Sequence, residues 1–443
     1  GDMEEGIYYE LEGMRDKLYE AIQAYASEVA GTPIAYGEGY PYIFIDTNDN
    51  GMADEDEQVR DNAYASFTPR LAEAVYNYQV SLKDPGAYAH GGKYHIQLMY
   101  DSIMNLNEAL STPVDMEGTH RIDHGHFAGS EEAFRHWDED GEVSASCARC
   151  HSADGLPTYL QDGANVSTEL SNGFECTTCH SDLETYALYE VAEVEFPSGA
   201  VVDSGDGPMN LCMNCHQGRN SGPDVDAYVE GMDDDTVNPD LSFQNVHYFA
   251  AGATLFGDDV KGAYQYPDQE YWGQFLHAEG VNSCTGCHNA HQLTVQAEKC
   301  GDCHSGVETV EDTQTIREYS DDWDGDGDTE EGIALEIETM NEVLYAAIQD
   351  YAANTSGTPI VYESHNYPYF FVDTDGNGEA DEDEAVRDNA YNAWTPRLLK
   401  AAYNYQYAQK DPGAFAHNGQ YVIQALYDSI ADVGGDVSGM TRP

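Results

Sequence analysis

Basic side chains are scarce in this chain. Lys and Arg together number 18, only seven of them Lys, against 82 Asp and Glu in 443 residues, for a formal net charge of −64. Nucleic acids and anionic lipid surfaces are both held by basic patches, so neither is an expected partner. Long apolar runs are missing too. No stretch approaches the about 20 apolar residues that a membrane helix needs, so no membrane insertion is expected. The chain opens on Gly1 with no signal peptide and reads as a mature or processed piece. So acidic a chain repels itself when folded, and bound cations or a salty medium must offset that repulsion. Yet 41% of the residues are hydrophobic, a globular proportion, and the length exceeds that of one ordinary domain.

Cysteine is absent outside a single motif. All ten Cys fall in Cys-x-x-Cys-His: Cys147–Cys150–His151, Cys176–Cys179–His180, Cys212–Cys215–His216, Cys284–Cys287–His288 and Cys300–Cys303–His304. A disulfide framework would not place His after every second Cys. Zinc ribbons, with four ligands to a site, would leave the repeated His surplus. The motif is that of c-type haem attachment: two thiols add to the haem vinyl groups, and the next residue sets an imidazole on the iron. Five haem c groups are therefore expected, with His151, His180, His216, His288 and His304 as proximal ligands. Haem is attached outside the cytoplasm, so the chain is expected to be exported, to the cell surface or beyond. The motifs start 29, 36, 72 and 16 residues apart, and the last two haems should be near neighbours.

The motifs lie between two copies of one unit, at about 2–110 and 328–437. Leu11, Met14, Leu18, Ile22 and Tyr25 correspond to Ile337, Met340, Leu344, Ile348 and Tyr351, a helical stripe in each copy. Residues 41–45 and 368–372 are strand candidates. Thr68–Pro69 and Thr395–Pro396 read as helix starts, Lys83–Gly86 and Lys410–Gly413 as stops, and last helices are expected over about 92–109 and 419–432. The segment between the copies is rich in Gly, Asp, Asn and Ser with little periodicity. The fold expected is a loop-rich multihaem core (118–317) with little regular structure, packed on porphyrin, flanked by two homologous, mainly α modules (1–117 and 318–443).

Eleven His remain after the proximal five. Electron-transfer haems commonly carry a second axial side chain. His126 and His136 before the first motif, His247 and His277 in the long gap, and His291 after the fourth motif are the expected distal ligands. His120 and His124 adjoin His126. His90 and His417, at matching places in the two copies, read as structural, since no haem motif lies beside the second of them.

Two twelve-residue stretches match the calcium loop, whose odd positions and final Glu offer the six to eight oxygens that calcium takes. Their ligands are Asp46, Asn48, Asn50, Met52 (through its carbonyl), Asp54 and Glu57, and again Asp373, Asp375, Asn377, Glu379 (carbonyl), Asp381 and Glu384. Calcium is the second expected cofactor. Asp322 to Glu330 repeats the acidic spacing without a Glu at the twelfth place.

The stretches Ala133–Trp137, Cys150–Leu156, Cys215–Arg219 and Cys287–His291, with Tyr76–Gln79 and Lys83–His90 in the flank, resemble the large extracytoplasmic multihaem cytochromes of metal-reducing and related anaerobic prokaryotes. The resemblance implies bis-His haems and extracellular electron transfer, with copies polymerised head to tail into filaments. Two other functions are open to such a chain. One is a multihaem reductase with an open catalytic iron, although no motif ends in Lys as in the pentahaem nitrite reductases. The other is a calcium-dependent structural or adhesion protein using haem as core. An electron carrier rather than an enzyme is the leading expectation.

Overall fold

The computed structural model describes residues 6–116, 119, 121, 131–171, 173–278, 280–317 and 319–443, with backbone alone at 131 and 132. His120, His124 and His126 lie outside the described residues. The chain forms two compact units, Gly1–Gly125 and His126–Pro443.

The first unit is the first flanking module. Helix α1 (Ile7–Glu28) buries Leu11, Met14, Leu18, Ile22 and Tyr25, the stripe visible in the sequence. A hairpin of β1 (Ile34–Tyr36) and β2 (Ile43–Ile45) pairs Ile34 with Ile45. Helix α2 (Pro69–Lys83) is capped by Thr68, whose hydroxyl accepts the Leu71 N–H at 3.2 Å. Helix α3 runs from Ala87 to Asn107, five residues earlier than the sequence suggested, across a non-helical residue at Gly91. The second module repeats this, with helices Ile333–Tyr351, Pro396–Gln409 and Ala414–Asp432 and the antiparallel pair Ile360–Tyr362 and Phe370–Val372. Its last helix breaks likewise at Asn418. The apolar periodicity restarts after each break, so pattern alone found only the second part.

The segment between the modules is not bare coil. It is made of helices of four to eight residues, such as Ala145–His151, Gly155–Asp162, Gly207–Met213 and Gly222–Val229, and of two- or three-residue ladders. Nor is its core left wholly to a cofactor. Val194, Phe196, Met209, Val225, Phe243 and Val246 form one hydrophobic core with the second module. Phe243 packs on Phe370 and Trp394, with ring centres 4.7 and 5.8 Å away. Polar groups fix the join. Asn404 takes the Tyr264 N–H at 2.7 Å and donates to the Tyr264 carbonyl at 2.9 Å, while the Tyr403 hydroxyl donates to Gly262. Each is buried, where an unmade bond costs about 1–3 kcal/mol. The Asn404→Ala variant is accordingly expected to lower unfolding stability by about that amount, read from denaturant midpoints of the haem-loaded protein.

Candidate haem centres and cation loops

Each Cys-x-x-Cys sits on a helical turn: in Ala145–His151, Cys176–Cys179, Cys284–Cys287 and across the ends of Gly207–Met213 and Ala297–Gly301. Residues three apart on a turn share a face, so both thiols address one edge of a planar group. None of the ten Cys is in a disulfide.

The motifs come together out of chain order. Cys150 and Cys215 share a thiol hydrogen bond, and each thiol also lies near a backbone carbonyl of the other motif, Cys150 Sγ 4.0 Å from Asn214 O and Cys215 Sγ 3.8 Å from Arg149 O. Cys212 and Cys284 are hydrogen-bonded in the same way. Burial, and after it the nearby Cys212, pushes the Cys179 thiol up to about 11. Burial and then Cys300 raise that of Cys287. The third motif thus has the first, second and fourth as neighbours, and the fifth adjoins the fourth.

The proximal imidazoles are oriented from behind. Nδ1 of His151 bonds the Ala133 carbonyl at 2.9 Å, His180 that of Tyr186 at 2.8 Å and His216 that of Phe249 at 3.0 Å. Donation from Nδ1–H leaves Nε2 as the ligand atom. Opposite stand other His. Ring centres are 5.8 Å apart for His151 and His247, 6.3 Å for His180 and His291, 6.2 Å for His304 and His277, and 6.3 Å for His288 and His417. Two metal–imidazole bonds of about 2 Å set trans on one ion leave ring centres roughly 6 Å apart. The residues therefore fit bis-His haem.

His247, His277 and His291 were among the expected distal residues. His136 lies 4.9 Å from Trp137, which is 5.3 Å from His151. Beside His216 the described ring is Phe249, at 6.4 Å. His417 was not foreseen. Its Nδ1 meets both carboxylate oxygens of buried Asp411 at 2.9 Å. Burial alone would push the imidazole pKa down; the Asp411 charge outweighs it and the net shift is upward. No such counter-charge guards His247, which burial lowers to about 4. Among neutral imidazoles of this kind the second nitrogen is free for metal.

The comparisons bear on this arrangement. The chain is 26% identical to the C-type polyheme cytochrome OmcB of Geobacter sulfurreducens, over 67% of this chain and 45% of that protein. It is also 26% identical to the C-type polyheme cytochrome OmcC of the same organism, over 83% of this chain and 52% of that protein. The chain is a multihaem c-type cytochrome. It spans about half the length of these curated relatives. No family model and no solved structure matches it.

The two calcium-type loops of this cytochrome follow its hairpins. In the second, oxygens of Asp373, Asp375 and Glu384 all lie within 4.8 Å of one another. Asp373 accepts the Gly376 N–H at 2.7 Å and the Gly378 N–H at 3.1 Å, and Glu384 Oε1 holds the Thr374 N–H at 2.6 Å. The other oxygen of Glu384 is buried without a hydrogen-bond partner. A buried carboxylate oxygen with no donor is costly unless an ion takes it. The first loop has the same frame. Asp46 accepts from Asn50 and Gly51, at 3.2 and 2.7 Å, and Glu57 from Thr47, at 2.6 Å. Asn48 and Asn50 both donate to Asp54 at 2.8 Å, and Asn377 to Asp381 at 2.9 Å. Met52 and Glu379 N–H groups cap the preceding Asn side chains. The residues fit a hard, oxygen-seeking cation such as calcium.

Proposed function

We propose that this cytochrome relays electrons through five covalently attached haems, each held between two His, outside the cytoplasm and without catalysing a reaction of its own. The observation that carries this is the pairing of four motif His with four other His at 5.8–6.3 Å. On this reading His247, His291, His277 and His417 are the distal ligands of the first, second, fifth and fourth haems. The haem supplies one-electron exchange; its potential answers to axial ligand and surroundings. The protein orients His151, His180, His216 and His417 through Nδ1 and brings the motifs together. Intact mass of the matured protein is expected to exceed that of the polypeptide by five haem masses, and four or fewer would refute the count.

The surroundings of His216 favour a second reading for one haem, a reductase centre with an open iron position. A high-spin ferric signal in low-temperature electron paramagnetic resonance of the intact protein would support it. His136 or His126 as sixth ligand would leave all five haems low-spin.

The assembly reading, copies joined head to tail, gains support from a comparison of the two modules. Tyr403 and Tyr421, buried in the second module, correspond to Tyr76 and Tyr94, which are 68% and 61% exposed. His90 repeats His417, with Nδ1 on Asp84 at 2.9 Å, but its side chain is 69% exposed. The first module thus offers water the face that the second uses to hold a haem segment, and Tyr-rich faces are typical of interfaces. A head-to-tail contact that does not close gives a filament. His90→Ala with Tyr76→Gln should shorten the particles seen by light scattering and microscopy at high salt and calcium. Wild-type particles that stay monomeric there would rule assembly out.

A further inference from the structure

The stretch Asp322–Asp328 joins the haem segment to the helix Ile333–Tyr351. By sequence it fails as a calcium loop, because its twelfth residue is Ile333. Its hydrogen bonds nevertheless repeat those of the loop at Asp373. Asp322 accepts the Gly325 N–H at 2.7 Å and the Gly327 N–H at 3.0 Å, as Asp373 does from Gly376 and Gly378. Asp324 accepts from Asp326, and Asp326 from Asp328, as Asp375 and Asn377 accept from Asn377 and Glu379.

The missing Glu comes from the helix. Glu336 Oε2 holds the N–H groups of Trp323 and Asp324, both at 2.9 Å. In the other loop Glu384 holds the corresponding N–H groups of Thr374 and Asp375, at 2.6 and 3.3 Å. Helical phase explains the substitution: Glu336 lies three residues past Ile333 and so nearly on the same helix face, one turn further on.

A frame alone does not make a site. The deciding observation is a poorly satisfied buried oxygen. Asp324 is 5% exposed, and among the described residues its Oδ2 makes no hydrogen bond of normal geometry, the Thr339 hydroxyl being the side-chain donor that approaches the carboxylate. Oε1 of Glu331 is buried and unpartnered as well. Oxygens of Asp322, Asp324 and Glu336 lie within 4.8 Å of one another, and so do those of Asp324, Asp326 and Glu331. Arg317 pairs with Oε1 of Glu336 at 2.5 Å, so Glu336 frames the loop and the free oxygens are those of Asp324 and Glu331.

We propose that Asp322, Asp324 and Asp326, completed by Glu336 and Glu331, form a third site for a hard divalent cation of the calcium class. The ion would fasten the exit of the haem segment to the second module. The same loop already touches the chain's last residues: Thr441 donates to the Trp323 carbonyl at 3.1 Å, and a Cβ on Gly325 would lie 2.5 Å from Gly439.

The test uses the haem-loaded full chain, stripped with chelator and dialysed against calcium alone, with bound metal counted by elemental analysis. Asp324→Asn is expected to lose one ion per chain. Asp373→Asn should lose a different one, so that the double variant loses two. Exposed Asp326→Asn, which leaves the buried frame intact, should weaken one site by at least about tenfold. If Asp324→Asn and Asp326→Asn keep the wild-type count and affinities, the proposal is wrong.

Discussion

Replacing His417 by Gly is expected to turn one haem of five from low to high spin, and added imidazole should turn it back. The first effect follows from His417 standing 6.3 Å from His288, the spacing of two imidazoles on one iron. The second separates ligation from mere packing, because only a vacated iron position would be refilled by free imidazole with a return of the low-spin spectrum. Stability will fall as well. Removing His417 leaves Asp411, 2% exposed, as a buried charge without its partner, a loss of about 3–5 kcal/mol in comparable cases. Asp411→Asn therefore serves as the control. It keeps the imidazole but removes the carboxylate that makes it a stronger donor, so all haems should stay low-spin while one potential rises. An unchanged spin state in His417→Gly, with the variant folded, would return His417 to the structural role that the sequence suggested.

That residue also shows where sequence reading stops. The haem motifs were legible because the chemistry fixes residue type and spacing locally. His247, His277 and His291, which stand beside motif His in the structure, lie among the motifs in the sequence as well. His417 is 129 positions beyond His288, in a module with no haem motif, and nothing local links the two. The link is made by packing: the helix Pro396–Gln409 buries Tyr403, Asn404, Gln406 and Tyr407 in the core it shares with Phe243, Val246 and Tyr264. The signal lay in the duplication, since Ala-Tyr-Ala-His90 and Ala-Phe-Ala-His417 preserve His and the Asp six residues before it. Glu336 escaped for a related reason. A motif counts along the chain, whereas a helix brings a residue one turn further on to the same place. The helices of the modules were read correctly in kind, through stripes such as Leu11 to Tyr25, but their starts at Ala87 and Ala414 were hidden by the breaks at Gly91 and Asn418.

Removing calcium should unfold the first module before it disturbs the haems. In each module the hairpin runs straight into an acidic loop whose last Glu reaches back to the loop's second residue: Glu57 to Thr47 and Glu384 to Thr374. Asp46, Glu57, Asp373 and Glu384 are all buried, and in the second loop one oxygen of Glu384 has no donor among the described residues when no ion is bound. A ligand present at about 100 times its dissociation constant stabilises the native state by roughly 2.7 kcal/mol per site. For a unit the size of the first module that corresponds to a fall of about 10 °C in melting temperature on chelation. The haems are tied by thioethers to a different segment, and the first module supplies none of the four His paired with motif His, so their low-spin bands should persist while the helical circular dichroism of that module is lost. Asp46→Asn would reproduce that loss, whereas Asp373→Asn would loosen the module that carries His417 and so turn part of one haem high-spin. Equal melting curves with and without chelator, from protein shown to have held calcium beforehand, would mean that the loops bind the ion without depending on it.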